Sequence, residues 1–429
     1  MRLKRPFVFL AALALLAGCS GDPYTGGRED SGVPEDQPKP DEDGSTAFES
    51  AAEAVRHMGA GWNLGNTLDS HSGSIDHMWI EAWTARTPKD YETAWGQPQA
   101  TRALIHMFKE AGFGAIRVPV TWYPHMGKVN ITIQGEKECW DMSTWTGTEV
   151  DPVWMARVKE VVDYVIDEGM YCILNVHHDT GDRGEDMNGT AWLVADRFDE
   201  AKDRYAALWA QIADTFKDYG ERLLFESYNE MLDSYNSWCF ASFASPSRYD
   251  VSVASAAYAG INNYAKLFVE TVRAGGGYNA ERNLVVNTYG ACSGDGTWNQ
   301  HLKEPLSNMQ IPEEPGHIAV EVHSYWDSEK FSASQKKEID QLFTNLNTHL
   351  VQRLGVPVII GECGGGVGTD TEQNIAFTRY FMTKACAAGI APFWWMGLSD
   401  GKDRETPAWT MPATKDAIIS SFDSYDETR

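Results

Sequence analysis

The sequence is short of positive charge: 36 Lys and Arg face 61 Asp and Glu, a formal net charge of −25 over 429 residues. Phosphate binding needs a basic face, so nucleic acid is excluded as a partner, whereas a neutral polymer suits this balance. Cysteine is scarce and scattered. None of the seven Cys forms a Cys-x-x-Cys pair, which argues against a zinc site. Cys139, Cys172, Cys239, Cys292, Cys363 and Cys386 lie far apart, so spacing assigns no disulfide among them. A bilayer-spanning run is missing as well: the apolar stretch 7–16, behind Arg2, Lys4 and Arg5, is too short and reads as the core of a secretory signal. No Gly-x-Gly-x-x-Gly follows the first strand signal, which weighs against a dinucleotide-binding open sheet.

Aromatic residues, by contrast, are plentiful, with 16 Trp and 17 Tyr. Most such rings belong to a core, but many here sit in polar stretches over 76–96, 139–145 and 290–298. Rings in loops at the mouth of a fold offer flat apolar faces to pyranose rings and polar tips to hydroxyls. At the other end of the argument, Leu16-Ala17-Gly18-Cys19 resembles a bacterial lipobox, in which the Cys becomes the lipidated first residue of the mature chain. Ser20 after it favours the outer membrane. Residues 20–50 carry nine acidic residues against Arg28 and Lys39 and too little apolar surface to offset their ordering entropy, so an extended tether is expected. Membrane contact is therefore expected only through a lipid on Cys19.

From residue 58 one pattern repeats. Leu104, Ile105, Met107 and Phe108 fall at helical spacing within 99–111, Gly112 stops the helix, and Ala115-Ile116-Arg117-Val118-Pro119 follows as a strand. The same order recurs as helix 153–168 before strand 171–176, 201–219 before 223–230, and 257–274 before 284–286. It recurs again as 334–354 before 357–362 and 372–388 before 391–395. Gly169, Gly220, Gly275, Gly355 and Gly389 stand at these later helix ends, where Gly takes the left-handed conformation at little cost. The strand 318–322 is reached through a loop-rich stretch without a clear helix. Eight strands, starting near Gly59, Ala115, Tyr171, Leu223, Leu284, Ile318, Pro357 and Ala391, predict a parallel α/β sheet closed as a (β/α)8 TIM barrel with extended loops on its catalytic face. The doubly wound open sheet is the competing arrangement. The catalytic domain is expected over 51–429, after a signal peptide over 1–19 and the tether, with insertions at 68–96, 125–152, 179–198, 233–255 and 291–316.

A barrel gathers its strand ends. The first polar residues after the apolar runs are Asn63, Arg117, His177 with His178, Asn229 with Glu230, Tyr289, His323 with Tyr325, and Glu362; the last strand ends in Trp394-Trp395. Glu230 beside the neutral Asn229 suits proton donation to a substrate oxygen, and Glu362 supplies the second carboxylate of a site. His177-His178-Asp179 suggests a metal. Adjacent residues on a strand point to opposite faces, however, so the two imidazoles are not expected to share an ion, and no metal or cofactor is expected.

The phrases Gly61-Trp62-Asn63-Leu64-Gly65-Asn66-Thr67, Ile116-Arg117-Val118-Pro119-Val120-Thr121-Trp122, Val176-His177-His178-Asp179, Phe225-Glu226-Ser227-Tyr228-Asn229-Glu230, His323-Ser324-Tyr325 and Ile360-Gly361-Glu362 resemble glycoside hydrolase family 5, in its bacterial cellulase-like members. That resemblance implies a retaining endo-β-1,4-glucanase acting on cellulose, mixed-linkage glucan or xyloglucan, with Glu230 as general acid/base and Glu362 as nucleophile. It also implies that Asn63, Arg117, His177, His178, Asn229, His323, Tyr325 and Trp395 bind substrate around them. Three positions depart from the pattern: Met231 replaces a Pro, Cys363 an aromatic, and Met396-Gly397 an Asp-Asn pair. The alternatives are a β-mannanase of the same fold and a non-catalytic glycan-binding lipoprotein; a monomer is expected. In physical terms Arg117 and Tyr325 should hold Glu362 ionised, and that charge should raise the pKa of Glu230.

Overall fold

The computed structural model describes residues 48–72, 79–134, 137–181, 191–235, 249–294, 301–313, 316–366 and 368–426. The signal peptide, Cys19, the tether to residue 47, Cys239 and parts of the expected insertions lie outside these residues. The strands are β1 Gly61–Asn63, β2 Ala115–Val118, β3 Met126–Gln134, β4 Lys137–Val150, β5 Tyr171–Asn175, β6 Leu223–Glu226, β7 Leu284–Cys292, β8 Ile318–Tyr325, β9 Val358–Gly364 and β10 Ala391–Trp395. Eight of them close into a parallel barrel in the order β1-β10-β9-β8-β7-β6-β5-β2, with β2 pairing back to β1. Each barrel strand starts within two residues of the position expected.

These short apolar runs become strands because both of their faces are buried. Ile116, Val118, Cys172, Leu174, Leu223, Phe225, Val286, Val320 and Ile360 point outward into the core shared with the helices. Ala115, Ile173, Leu224, Val285, Ala319, Ile359 and Ala391 point inward and form one apolar layer. Side chains alternate with a period of two, so the next inward residues are Arg117, Asn175, Glu226, Asn287 and Glu321. They form a fully buried polar layer above the apolar one.

One irregularity sets the site. Between β8 and β9 the register passes from Val322↔Ile360 to His323↔Glu362, stepping over Gly361, and the β9–β10 ladder shifts at the same level. The extra residue of such a bulge re-aims the next side chain, and here it turns Glu362 into the barrel. Only glycine fits at the step, because a Cβ on Gly361 would lie 1.7 Å from Glu321 Oε1.

The opposite end is closed by the helix Ala51–Met58, started by a capping box between Ser50 and Glu53. Its Ala51, Ala54, Val55 and Met58 join the inner apolar layer. The packed chain reaches back past the boundary expected at residue 50, because Phe48 stacks on Tyr278 with ring centroids 5.3 Å apart.

Helices Arg102–Glu110, Pro152–Asp167, Phe198–Thr215 and Glu372–Ala387 stand where the periodicity placed them, while Val251–Ala274 begins before the start expected at 257, inside the insertion expected over 233–255. The helix expected over 334–354 is instead Ala333–Leu346 continued by a π turn, Asn347–Gln352. Gly112, Gly169, Gly355 and Gly389 take positive φ as expected. Gly275 does not, at φ −69°, and neither does Gly220. Past Gly275 the left-handed residue is Gly276; near Gly220 the Arg282 guanidinium donates to the Phe216 and Tyr219 carbonyls at 2.8 Å each, which satisfies that chain end without a left-handed turn. The insertion after β2 is the antiparallel hairpin β3–β4, and a short helix Glu304–Asn308 precedes β8.

Candidate active site

Arg117 on β2 is the hub. Its guanidinium, wholly buried, pairs with Glu226 through two parallel bonds, Nε–H to Oε2 at 2.6 Å and Nη2–H to Oε1 at 2.8 Å. Its remaining hydrogens reach Asn229 Oδ1 at 2.9 Å, Asn63 Oδ1 at 3.0 Å and Glu362 Oε1 at 2.9 Å. Burial by itself would weaken the cation, but the charges of Glu226, Glu321 and Glu362 hold its pKa well above the usual value. Three carboxylates thus share one fixed positive charge.

Glu362 receives a second donor, the Tyr325 hydroxyl, at 2.5 Å from Oε2. These two hydrogen bonds fix the direction in which its lone pairs point. Glu230 follows β6 on the bend after Glu226; a Glu230 oxygen, a His323 nitrogen and a Glu362 oxygen all lie within 4.8 Å of one another. His323 Nδ1 meets Glu230 Oε1 at 2.7 Å, and its Nε2 meets Glu321 Oε1 at 3.1 Å. Burial, then the Glu362 charge, pushes the Glu230 carboxyl above the usual carboxylate range against the pull of His323. Glu230 is therefore poised to hold a proton, while its neighbour Glu362 accepts hydrogen bonds from Arg117 and Tyr325.

The remaining expected residues divide by exposure. Asn63 is fully buried; its N–H bonds go to the Gly361 carbonyl and its oxygen to Arg117, so it props the hub instead of reaching the cleft. Asn229 gives its oxygen to Arg117, which turns its N–H2 group the other way. His177 and His178 lie past the end of β5 at Asn175, and the expectation that they face opposite ways fails there. Their rings meet edge to face at 4.5 Å, and ligand-capable atoms of both lie within 4.8 Å of Asp69. Asp69 already accepts the Asn66 and Thr67 backbone N–H groups, and His177 Nδ1 meets the Asn175 amide at 3.0 Å. Burial first, and then neighbouring positive charge, lowers the pKa of His178 to about 3 and holds that of His177 well below the usual imidazole value, so both imidazoles are neutral hydrogen-bonding groups.

Trp395 ends β10 half-exposed, its ring parallel to His177 at 5.7 Å and 5°. Gly65 makes room for it, since a Cβ there would come within 2.9 Å of the indole. Met396 and Gly397 both take positive φ, 28° and 69°, and fold the chain away beyond the ring. Trp95 lies beside His178 at 5.3 Å, and the Tyr325 side of the cleft is open, with that residue 45% exposed. Among the loop rings, Trp145 turns inward, covered by the Arg204 guanidinium at 3.5 Å and meeting Trp192 edge to face at 5.7 Å. Sequence reasoning passed over Glu226, Glu321, Asn175 and Asn287. The signal was present: each is a polar residue inside an apolar strand, two places beyond an inward apolar one.

The family model described as Cellulase (glycosyl hydrolase family 5) matches residues 81–400. Cellulase/esterase CelE of Acetivibrio thermocellus is 32% identical over 378 residues, which is 84% of this chain and 38% of that protein, so the chain spans well under half of this relative. A solved structure of a GH5-4 broad specificity endoglucanase from an uncultured bacterium is 45% identical with a TM-score of 0.76, over 88% of this chain and 96% of that one. The family 5 enzyme PbGH5A of Prevotella bryantii, a mutant in complex with a xyloglucan tetradecasaccharide, is 33% identical with a TM-score of 0.71, over 88% of this chain and all of that one.

Proposed function

Since the chain belongs to glycoside hydrolase family 5, the cellulase family, we propose that it is a retaining, endo-acting hydrolase of β-1,4-linked glucans, monomeric and cofactor-free, with Glu230 as acid/base and Glu362 as nucleophile. The observation that carries this reading is the closeness of the two carboxylates, whose nearest oxygens lie within 4.8 Å. Retaining enzymes hold the pair about 5–5.5 Å apart, whereas inverting ones need roughly 6.5–9.5 Å to admit a water. The sugar itself must then bridge them.

In the first step a Glu362 oxygen forms a bond to the anomeric carbon as the glycosidic C–O bond breaks, and the Glu230 proton passes to the departing oxygen. Esterification removes the Glu362 charge, so Glu230 becomes easier to ionise and stands ready as a base. Water then gives its proton to Glu230 and attacks the anomeric carbon, and the ester bond breaks to restore Glu362. The Asn229 N–H2 group is the candidate donor to the sugar 2-hydroxyl, a contact that strengthens as positive charge develops on the ring.

For substrate, cellulose-type, mixed-linkage and xyloglucan chains are supported by the names of the similar endoglucanases and by the xyloglucan complex of PbGH5A. Hydrolysis of a panel of glucan, xyloglucan and mannan oligosaccharides tests the class; turnover of mannan alone would overturn it. Roles are tested with an activated aryl glycoside and azide. Glu230→Ala should accumulate a glycosyl-enzyme that azide releases as the β-glycosyl azide, while Glu362→Ala plus azide should give the α-product. The opposite pairing would reverse the assignment. We further infer, from the lipobox-like Leu16-Ala17-Gly18-Cys19, an exported protein anchored by lipid on Cys19 in the outer membrane. Cys19→Ser should release an active enzyme into the soluble fraction, and unchanged membrane association of that variant would defeat the inference.

A further inference from the structure

Behind the acid/base lies a carboxyl that the mechanism above does not use. Glu321 on β8 is fully buried, two residues before His323. Its Oε1 receives His323 Nε2 at 3.1 Å and lies 3.4 Å from Arg117 Nη2. Its Oε2 is buried without a partner, and so is the Oδ1 of Asn287. These two residues are direct partners in the β7–β8 ladder. The Asn287 amide cannot be turned to cure this, because its Nδ2 donates to Glu226 Oε1 at 3.2 Å and to the Asn229 carbonyl at 3.4 Å. Two acceptors on paired positions of the ladder, each buried and unsatisfied, both lack a hydrogen, and a carboxyl group can carry one.

We propose that Glu321 is a positioning residue for the acid/base: protonated on Oε2 toward Asn287, it accepts the His323 Nε2–H and so holds Nδ1 against Glu230. This inference rests on the assignment of Glu230 as acid/base. The surrounding charges agree with it. Glu321 faces Arg117 from β2, Glu226 from β6 and His323 from its own strand; burial first, then the Glu226 charge, raises its pKa to about 7 against the pull of Arg117 and His323. His323 faces Glu230 and Glu321 directly, with Glu362 Oε2 3.6 Å away. Burial would make it neutral, but Glu362, Glu230 and Glu321 together raise it to about 10. With the Glu321 proton placed, one further proton is shared across the 2.7 Å contact between His323 Nδ1 and Glu230 Oε1. That is the proton the leaving oxygen takes. An ionised Glu321 would draw it onto His323, leaving Glu230 as a carboxylate without the proton to give.

The test compares Glu321→Gln and Glu321→Met with the wild type on a soluble glucan and by thermal unfolding. Gln copies the protonated carboxyl: its oxygen accepts Nε2–H and its amide donates to Asn287. It should therefore keep kcat, melting temperature and the alkaline limb of the pH profile, or move that limb upward. Met offers only a weak thioether acceptor and no donor, lets His323 change tautomer, and should lower kcat by about tenfold or more with KM little changed. If Glu321 is instead an ionised counter-ion of Arg117, Gln removes a needed charge; its melting temperature falls, and the alkaline limb moves to lower pH by about one unit or more. That result overturns the proposal, as does a Met variant that loses stability with an unchanged kcat. The 15N spectrum of His323 supplies a readout independent of turnover, in which Nε2 should carry hydrogen in the wild type and in Glu321→Gln; a bare Nε2 would also overturn it. Failure of the wild type to cleave any β-glucan would instead strike at the function on which the proposal rests.

Discussion

A single side chain on the cleft rim gives the sharpest test of sugar stacking. Trp395 exposes part of its indole, backed by His177 on one face and packed over Gly65. Trp395→Ala should lower kcat/KM on polymer by about 1–3 kcal/mol, the size found for rings stacked on an aromatic platform, with the melting temperature little altered. Loss of stability with normal kcat/KM would make the ring part of the core. At this scale the sequence displayed Arg117, Asn229, Glu230, His323 and Glu362 among others, because the place where an apolar run gives way to a polar residue is visible without coordinates. It hid Glu226 and Glu321. These lie within the runs, and only the closure of the sheet reveals that one strand's carboxylate meets another's guanidinium 109 positions away in the chain.

At the level of elements, the bulge in β9 decides whether the site exists. Glu362 and its neighbour Ile360 would point the same way in a regular strand; stepping over Gly361 sends Ile360 out and Glu362 in. Gly361→Ala places a methyl 1.7 Å from Glu321 Oε1, and either the bulge or the polar layer must yield. The expected outcome is a variant destabilised by about 1–3 kcal/mol or more, read by urea unfolding, whose remaining folded fraction turns over glucan far more slowly than the wild type. Full activity per folded molecule would show that Glu362 does not depend on the bulge. Strand positions were legible because the apolar runs are short and bounded. The bulge was not, since a Gly before a Glu reads as nothing more than the end of a run. The π turn after Leu346 and the hairpin β3–β4 escaped for a related reason: the first keeps helical periodicity, and the second mixes polar and aromatic residues as an irregular loop does.

Taken whole, the barrel is layered along its axis: the helix Ala51–Met58, the apolar layer from Ala115 to Ala391, the polar layer around Arg117, and then the two carboxylates. The apolar layer sustains the polar one. By keeping water from below, it makes the charges of Glu226 and Arg117 strong enough to influence the protonation of the groups around them. This order was foreseeable only in outline. Alternating helices and strands imply closure, but which inward positions share a level depends on strand stagger, and that is set by pairing among strands far apart in sequence.

The helix Ala51–Met58 also fixes where other things can be attached. The chain enters the barrel through the floor, beside the closing helix Pro412–Asp426, whose Phe422 lies 3.8 Å from where a Cβ on Gly59 would be. Both ends of the barrel therefore emerge on the face remote from Glu230 and Glu362. An enzyme fixed to a bead through a linker joined ahead of Phe48, or behind the last helix, should present its cleft to the surrounding liquid and digest soluble xyloglucan with the kcat/KM it shows when free. A catalyst built this way can be wired to a support, a scaffold or a companion module from either end without its handle lying across its own mouth.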